Sequence, residues 1–349
     1  MAAPAVLRPC LPETWDRFVD TAQYALDGGF TTPGSLYQQA QATGELLREL
    51  QPDVALGMMH YPSALVVFGA RLARASTRTV ASYRGPFYEY MRYYEHGLRR
   101  RLFLRGAVAS AALLANQVVV PSHGTALELR QRFFTPLQRT VTIPNGIDLE
   151  SVATLSREPA SELNDLENVK IPIVCAIARL APEKNLGLLL DAFRRVQARQ
   201  PALLLVLGDG PERIALETRI VEWGLGDSVR LLGHRDNIYP YLRCADVFIH
   251  TCQFEGFGYT LLEALTCGAA VVSTDCPYGP REILGDSEYG LLVQPDDPAA
   301  LAEAILYLLN HADQRKTLVT HGLERARQLS IETMVRAYER VFIDLATSA

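Results

Sequence analysis

The chain has 349 residues, of which 48% are apolar and 21% are charged, and its net charge is −5 at neutral pH. This length exceeds the size at which a single hydrophobic core usually stops growing, so two domains of ordinary size are expected. The composition is typical of a soluble globular protein and excludes a membrane-spanning helix, because no stretch approaches about 18 uninterrupted apolar residues.

The first half is predicted to alternate strands and helices. Residues 1–40 give only turn signals, at Asp27-Gly28-Gly29 and Thr32-Pro33-Gly34. Strands that alternate with helices indicate a parallel sheet with right-handed crossovers. In chain order from Gly44, we predict a helix to Leu50, a strand over 53–57, a helix over 63–73, a strand over 79–82, a helical region to about Leu114, a strand over 117–120, a helix from Ser122 and a strand over 140–143.

The second half repeats this alternation after a polar connector over 156–170. We predict strands over 173–178, 202–207, 229–232, 247–251, 269–274 and 290–293. We predict helices over 186–199, 212–223, 238–243, 298–310, 314–329 and 331–346, with a further helix after the strand at 247–251. The patterns predict two open α/β domains that face each other across a cleft.

The turn between the strand at 247–251 and its helix carries the strongest functional signal. Glu255 and Glu263 lie here, and Gly256 and Gly258 allow a tight turn whose backbone amides can approach a ligand. The helix N-terminus favours a phosphate-like anion, and ligands bind at the carboxyl edge of open parallel sheets. The alternatives are a capping role for Glu255 and a solvated position for Glu263. Because Glu263 has apolar neighbours, its carboxylate needs a hydrogen-bonding partner, and we interpret the pair as ligand-binding.

Two cations follow the first strand of the second half. Arg179 and Lys184 lie on a loop that opens a helix at the same sheet edge, where they would neutralise a diphosphate. Such a pair alone is more often solvated surface, but its coincidence with the Glu255 loop favours binding. Gly208 and Gly210 form another strand-to-helix turn without the full dinucleotide-binding pattern, so a purely structural role stays open.

Five stretches of the second half form a pattern of their own. They run from Arg179 to Lys184, from Leu207 to Glu212, from Leu232 to Arg235, from Phe254 to Glu263 and from Ser273 to Glu282. In order and spacing they resemble the family-four glycosyltransferases of GT-B fold, densely over residues 140–330 and more loosely over 45–145. The resemblance implies two Rossmann-like α/β domains, over 1–148 and 149–329, with a hinge near Pro144-Asn145-Gly146-Ile147-Asp148. It also implies that a C-terminal helix over 330–349 crosses back to the first domain.

The resemblance implies roles for individual residues as well. Arg179 and Lys184 would grip the diphosphate of a nucleotide-sugar donor, Glu263 would bind the ribose hydroxyls, and Glu255 would contact the transferred sugar. The remaining donor contacts would come from the backbone amides of Gly256, Phe257 and Gly258, and from Gly233, His234 and Arg235 around the base. It also implies retention of anomeric configuration, with the departing phosphate helping to deprotonate the acceptor hydroxyl.

The chemistry of these residues agrees with that resemblance. Negative charge develops on the leaving diphosphate when a sugar–phosphate bond breaks, so fixed cations and amides stabilise the transition state. The sequence contains no Asp-x-Asp, so a metal clamp is not required. We therefore predict a metal-independent enzyme without a cofactor.

The first half departs from the family pattern at two places. The family's first strand and its glycine-rich loop are not recognisable, so the N-terminal domain is expected to start shortened or rebuilt. Arg84 stands where the family often has a histidine, and we predict that it contacts substrate, with a surface role as an equal alternative. Whether Arg84, His60 or His123 acts on the acceptor side stays open, because a lone histidine is more often structural.

The distribution of charge along the chain bears on possible contacts with membranes and nucleic acids. Residues 1–150 carry 15 basic residues, all of them arginine, and 12 acidic ones, whereas residues 151–349 carry 19 basic and 27 acidic residues. The segment from Arg99 to Arg105 mixes arginines with apolar side chains and has two interpretations: contact with the inner face of a membrane, or a solvated helix whose apolar side chains point to the core. Nucleic-acid binding is disfavoured.

The N-terminal sequence and the cysteines favour the cytoplasm. Residues 1–9 lack the basic and apolar segments of a signal peptide. The six cysteines contain no Cys-x-x-Cys pair, which argues against disulfides and zinc. Cys276 is the one cysteine that we place in a loop near the site, where it could be exposed.

We predict a retaining glycosyltransferase that moves a sugar from a nucleotide-diphosphate donor to a glycan or lipid-linked glycan acceptor. A uridine diphosphate sugar is the expected donor, because the resembling family commonly uses one. Two alternatives are a nucleotide-sugar epimerase of the same fold and a non-catalytic subunit that binds a nucleotide sugar. The sequence does not specify the sugar, the acceptor or the linkage.

Overall fold

The computed structural model describes residues 30–160, 163 and 171–348 and divides into two compact units. The first unit contains the described residues up to Val120, together with Thr125–Thr142 and the chain from Glu339 onward. The second unit contains Pro121–Gly124 and Ile143–Tyr338. The predicted turn at Asp27, the question of a glycine-rich N-terminal loop and most of the predicted connector lie outside the described residues.

The first unit is a parallel sheet of four strands in the order β1-β2-β3-β4, with helices between the strands. This arrangement confirms the predicted alternation. The strands are β1 (Val54–Met58), β2 (Arg78–Ser82), β3 (Gln117–Val120) and β4 (Thr140–Thr142). The helices are α1 (Pro33–Leu50), α2 (His60–Ala73), α3 (Phe87–Tyr94), α4 (Leu98–Leu114) and α5 (His123–Phe133).

The start of α1 corrects one prediction. Thr32-Pro33-Gly34 was predicted to be a turn, but the helix begins at Pro33. Thr32 Oγ1 accepts a hydrogen bond from the amide of Ser35 at 3.1 Å, and Ser35 Oγ accepts one from the amide of Thr32 at 3.0 Å. Proline is favoured at the first helical position, so this capped proline marks a helix start rather than a turn.

The second unit is a parallel sheet of six strands in the order β10-β9-β8-β5-β6-β7. Its strands are β5 (Ile173–Ile177), β6 (Leu203–Leu207), β7 (Val229–Gly233), β8 (Val247–His250), β9 (Ala270–Thr274) and β10 (Leu291–Val293). Its helices are α6 (Leu149–Leu155), α7 (Leu186–Gln197), α8 (Arg213–Glu222), α9 (Tyr239–Cys244), α10 (Tyr259–Thr266), α11 (Pro280–Leu284), α12 (Pro298–Asn310), α13 (Ala312–Gln328) and α14 (Ile331–Thr347), of which the residues from Glu339 onward belong to the first unit. The two short helices α6 and α11 were not predicted from the sequence.

The strand order of the second sheet reverses beside β5. The chain lays down β5, β6 and β7 toward one edge and then adds β8, β9 and β10 on the other side of β5. Apolar side chains cover both faces of this sheet, with Phe193 in one layer and Phe248 in the other. In open parallel sheets, ligands bind at the carboxyl ends of the two strands that flank such a reversal. The strand order therefore predicts a ligand site at the loops after β5 and β8.

Candidate active site

The loop after β8 is held in place by the loop after β9. The amide of Glu255 donates to the carbonyl of Pro277 at 2.7 Å, and the amide of Tyr278 donates back to the carbonyl of Glu255 at 2.9 Å. Gly258 then begins the turn into α10 with a φ of 96°, which favours glycine. These constraints fix the position of the Glu255 side chain at the sheet edge.

Lys184 and Glu255 form an ion pair between the two loops that flank the strand-order reversal. Lys184 Nζ lies 2.6 Å from Glu255 Oε2, and the side chains are 19% and 17% exposed. Burial alone would raise the pKa of Glu255, but His250 and Lys184 beside it hold that pKa well below its ordinary value. Glu255 is therefore an ionised carboxylate, and the structure brings together two site residues predicted from separate motifs.

Arg179 lies on the same loop as Lys184 and is more open to solvent. Its Nη2 donates to Glu183 Oε1 at 2.6 Å, while the arginine side chain is 55% exposed. Glu183 is buried, and its carbonyl accepts from the amide of Gln253 at 2.8 Å. Glu183 thus anchors Arg179 and also ties the loop after β5 to the loop after β8.

The glycine turn after β6 supports this loop from the other side. A Cβ atom on Gly208 would lie 1.9 Å from the carbonyl oxygen of Ala178, and one on Gly210 would lie 2.4 Å from that of Leu180. The amide of Leu180 donates to the carbonyl of Asp209 at 2.9 Å. Glycine is therefore required at both positions for a structural reason, because the two backbones approach each other closely next to Arg179.

Glu263 has the hydrogen-bonding partner that its apolar surroundings require. The hydroxyl of Tyr239 donates to Glu263 Oε1 at 3.4 Å. Burial raises the pKa of Glu263 to about 7, although the bond from Tyr239 acts in the opposite direction. Near neutral pH this carboxyl therefore exchanges between its protonated and ionised forms.

The predicted base-binding residues lie at the end of β7, shortly before Tyr239. Gly233 adopts a φ of 75°. His234 is exposed, with Nε2 3.4 Å from Asp236 Oδ1, and Arg235 Nη1 donates to the carbonyl of His234 at 2.9 Å. The Tyr239–Glu263 contact links this segment to α10, so the segment and the predicted ribose site are neighbours.

The backbone amides predicted to line the donor are in the turn before α10. The amide of Gly256 donates to Oε1 of Glu255 at 3.1 Å, so it already serves the carboxylate. Phe257 and Gly258 are buried, and Phe257 packs in the apolar layer of the sheet. Their roles toward a ligand stay predictions.

Sequence reasoning missed a buried polar network beneath Glu255. His250 Nε2 lies 3.0 Å from Cys252 Sγ and 3.7 Å from Glu255 Oε2, while His250 Nδ1 lies 3.0 Å from Ser273 Oγ. Burial alone would lower the pKa of His250, but Cys252 and Glu255 raise it to about 9. The spacing His-x-Cys-x-x-Glu was the available signal, because His250, Cys252 and Glu255 bring together ligand atoms that could hold a metal ion.

Cys276 and the acceptor-side candidates have different surroundings. Cys276 is buried, which corrects the expectation that it could be exposed. Burial lowers the pKa of His60 to about 4, and its ring lies 4.2 Å from that of Phe87, so it packs as a neutral side chain. His123 Nδ1 lies 2.7 Å from Glu282 Oε1. Arg84 is half-buried after β2 in the first unit, and its role stays a prediction.

Two family models match the chain side by side. Residues 10–151 match the model described as Glycosyltransferase Family 4, and residues 162–325 match the one described as Glycosyl transferases group 1. A curated relative from Campylobacter jejuni is 27% identical over 283 residues, covering 81% of this chain and 74% of that protein. That relative is N-acetylgalactosamine-N,N'-diacetylbacillosaminyl-diphospho-undecaprenol 4-alpha-N-acetylgalactosaminyltransferase. Of seven further curated relatives, this chain covers 25–63% of the length.

Solved structures show the same architecture. A glycosyltransferase from Rickettsia africae ESF-5 has a TM-score of 0.76 at 16% identity, with 93% of this chain and 84% of that chain covered. The Alr3699/HepE protein of Anabaena, crystallised with UDP, has a TM-score of 0.75 at 21% identity, with 90% and 85% covered. At these identities the likeness shows the fold.

Proposed function

The chain belongs to the family-four glycosyltransferases of GT-B fold, and on that premise we propose that it transfers a sugar from a uridine diphosphate sugar to a glycan or lipid-linked glycan, with retention of configuration. The observation that carries this proposal is the Lys184–Glu255 ion pair beside Arg179, at the reversal of strand order. A diphosphate sugar requires cations for its phosphates and acceptors for its hydroxyls. This sheet edge offers both.

In the proposed reaction, the second unit stabilises the leaving diphosphate. Arg179, Lys184 and the turn before α10 face charge that grows as the sugar–phosphate bond breaks. The acceptor oxygen bonds to the anomeric carbon on the face that the phosphate leaves, and the acceptor proton passes to the departing phosphate oxygen. Glu255 orients the sugar through its hydroxyls and does not attack. No metal is needed, since the two side-chain cations take the place of a metal clamp.

The nucleotide would lie toward β7 and α10. Glu263, as a carboxylate positioned by Tyr239, accepts hydrogen bonds from the ribose hydroxyls. Gly233, His234 and Arg235 hold the base. The UDP in the crystals of the Anabaena protein supports a uridine donor for this chain. On the acceptor side we assign Arg84 a substrate contact.

A lipid-linked acceptor implies a contact with a membrane surface, for which α4 is suited. Leu98 and Leu102 lie one helical turn apart and are 73% and 60% exposed, next to exposed Arg99. Phe103 and Leu104 pack against the core instead. Among the helices that the structure describes, none is both long and apolar enough to span a bilayer. A surface contact that combines apolar and cationic side chains is therefore the proposed mode.

Vesicle flotation tests this contact. With vesicles that contain anionic lipid, the double variant Leu98→Asp, Leu102→Asp should float at least tenfold less than the unaltered protein, since two apolar contacts become charged. The control is Ile214→Asp, Val221→Asp on α8, whose side chains are 78% and 77% exposed. Equal flotation of both double variants would remove the α4 contact from the proposal.

A donor screen tests the activity itself. Thermal unfolding with a panel of nucleotide sugars should show selective stabilisation by a uridine diphosphate sugar. The stabilising donor is then incubated with and without glycan acceptors, and the anomeric configuration of the product is determined by NMR. Retained configuration, with product only when acceptor is present, supports the proposal. Epimer formed from donor alone indicates the epimerase, and binding without turnover across acceptors indicates the non-catalytic subunit.

A further inference from the structure

Three side chains with metal-binding atoms converge beneath the Glu255 loop. Cys252 Sγ lies 3.0 Å from His250 Nε2 and 3.6 Å from Glu255 Oε2, and that nitrogen and oxygen are 3.7 Å apart. His250 and Cys252 are buried, while Glu255 is half-buried. No second cluster of this kind occurs in the chain over 30–160 and 171–348.

Two of the three separations are close to the edges of a tetrahedral zinc site. Zinc binds sulfur at about 2.3 Å and nitrogen or oxygen at about 2.0–2.2 Å, so its ligand atoms lie roughly 3.3–3.6 Å apart. The two edges that include Glu255 are close to this spacing. The His250–Cys252 edge needs to open by about 0.5 Å, which is within the reach of side-chain rotation. Three protein ligands leave a fourth position for water or another small ligand.

Ser273 orients the histidine for this role. Ser273 Oγ donates its proton to the carbonyl of Thr274 at 3.0 Å, so it accepts from His250 Nδ1, which lies 3.0 Å away. The Nε2 atom is then the one directed at Cys252 and Glu255. Metal-binding histidines are normally held by such an outer hydrogen bond, which fixes the ring and selects the ligand nitrogen.

The three ligand atoms favour a particular metal ion, and the nearby Lys184 determines how metal binding affects the Lys184–Glu255 ion pair. A thiolate, an imidazole and a carboxylate favour Zn²⁺ over Mg²⁺, which prefers oxygen ligands only. Lys184 Nζ lies 2.6 Å from Glu255 Oε2, the same oxygen that faces the other two ligand atoms. A divalent cation on this oxygen repels the ammonium group. Metal uptake and the Lys184–Glu255 ion pair therefore exclude each other.

We propose that His250, Cys252 and Glu255 form a zinc site and that zinc bound there inhibits the enzyme by taking Glu255 away from Lys184 and from the sugar. The binding of zinc is independent of the catalytic proposal, whereas the inhibition rests on the proposed function. The same carboxylate would thus serve a metal-free reaction and a metal-loaded resting state.

Cobalt absorption tests the site without any activity measurement. Co²⁺ added without oxygen to the metal-free, full-length protein should give a thiolate-to-cobalt charge-transfer band that saturates at about one equivalent and disappears on adding zinc. The band should be absent in Cys252→Ser and retained in Cys267→Ser, the control at a half-buried free cysteine. A missing band in the unaltered protein, or an equal band in Cys252→Ser, overturns the site.

Alkylation of the unaltered protein provides a test that does not depend on folding of a variant. Zinc should slow iodoacetamide labelling of Cys252 at least tenfold, and leave that of Cys244 and Cys267 within twofold, as followed by peptide mass spectrometry. Magnesium at the same concentration should have no effect. Equal protection of all three cysteines by zinc, or none at Cys252, contradicts a site at His250, Cys252 and Glu255.

The inhibitory consequence is measured by donor turnover. Saturating zinc should lower the transfer rate of the unaltered protein at least tenfold, reversibly with a chelator, and should lower the rate of Cys252→Ser by less than twofold relative to its own metal-free rate. Equal inhibition of both proteins would place the effect of zinc elsewhere. If no donor is turned over, the proposed function fails, and the cobalt band still decides the metal site.

Discussion

The two parallel sheets share the same alternation of strands and helices but differ in strand order. In the first unit β1 to β4 pair in chain order over the part that the structure describes, whereas in the second unit β5 has β6 on one side and β8 on the other. That reversal brings the loops after β5 and β8 together, and these loops carry Lys184 and Glu255. Alternation builds the scaffold, and the reversal creates a place for charged side chains to meet a ligand.

The two units also differ in the protonation state of a carboxyl group that is wholly or largely buried. Glu128 on α5 of the first unit is buried, and its Oε1 accepts from the amide of Tyr88 at 3.0 Å. Burial raises the pKa of Glu128 to about 8, whereas Lys184 and His250 keep Glu255 ionised. The same functional group is therefore neutral and structural in one unit and charged in the other.

The largest expected effect comes from separating the loops of the second unit. Gly208→Ala places a Cβ atom 1.9 Å from the carbonyl oxygen of Ala178 at a φ of 121°. We expect the free energy of unfolding to fall by more than about 3 kcal/mol, because the backbones after β5 and β6 must move apart. Denaturant unfolding measures this loss. Gly226→Ala is the control, since no neighbouring atom lies within 4 Å of its Cβ position. Equal stability of the two variants would contradict the packing described.

Glu128→Gln replaces the buried carboxyl group of the first unit with an amide that does not titrate. The folded pKa of Glu128, about 8, exceeds its ordinary value of 4.5, so the folded protein binds more protons than the unfolded chain between these values. Stability must therefore fall as the pH rises from about 5 to 8, on the order of 3 kcal/mol for this group. Urea unfolding at several pH values should show this slope in the unaltered protein and a flatter one in Glu128→Gln. Identical slopes would show that Glu128 is not neutral in the folded protein.

Lys184→Ala removes one of the two cations that we propose for the diphosphate in the second unit. We expect kcat/KM for donor turnover to fall at least tenfold, about 1.4 kcal/mol or more of transition-state stabilisation, because the leaving diphosphate loses one of its two cations. Steady-state kinetics measures the loss. Lys316→Ala on α13 removes an exposed lysine and should leave kcat/KM unchanged. A Lys184→Ala enzyme as active as Lys316→Ala would remove Lys184 from the mechanism.

Glu263→Gln is expected to give the smallest effect, and one that depends on pH. Burial raises the pKa of Glu263 to about 7, so glutamine imitates the protonated carboxyl below that pH and differs from the carboxylate above it. Donor affinity should be about fivefold weaker than that of the unaltered protein at pH 8 and nearly equal at pH 6, because charged acceptors make stronger hydrogen bonds. Calorimetric titration at both pH values measures the difference. A deficit that is larger at pH 6 would contradict the ribose contact.

Periodicity predicted most of the fold, because strands buried on both faces and helices with capped ends leave clear local signals. The prediction at Thr32-Pro33-Gly34 was wrong because proline and glycine mark turns as well as helix starts, and only the hydrogen bonds of Thr32 and Ser35 decide between them. The need of Glu263 for a partner was predictable, but not the identity of that partner. Tyr239 is 24 residues away and meets Glu263 only through the packing of α9 on α10.

The candidate site was only partly readable from sequence. Lys184 and Glu255 belong to separate motifs, and their ion pair depends on the pairing of β5 with β8, which local patterns do not specify. His250 was read as part of an apolar strand and Cys252 as a core hydrophobe. Their contact with Glu255 depends on the conformation of the loop after β8, and an irregular loop leaves no periodic signal in the sequence.

Hydrogen–deuterium exchange of the full chain with and without a uridine diphosphate sugar measures which segments of the chain the donor covers. We expect slower amide exchange in the loop over 178–185 and in the segments over 233–239 and 255–263, and we expect Lys184→Ala to reduce all three changes. Slowing confined to the loops after β1 to β4, with these three segments unchanged at saturating donor, would contradict a donor site at the reversal beside β5.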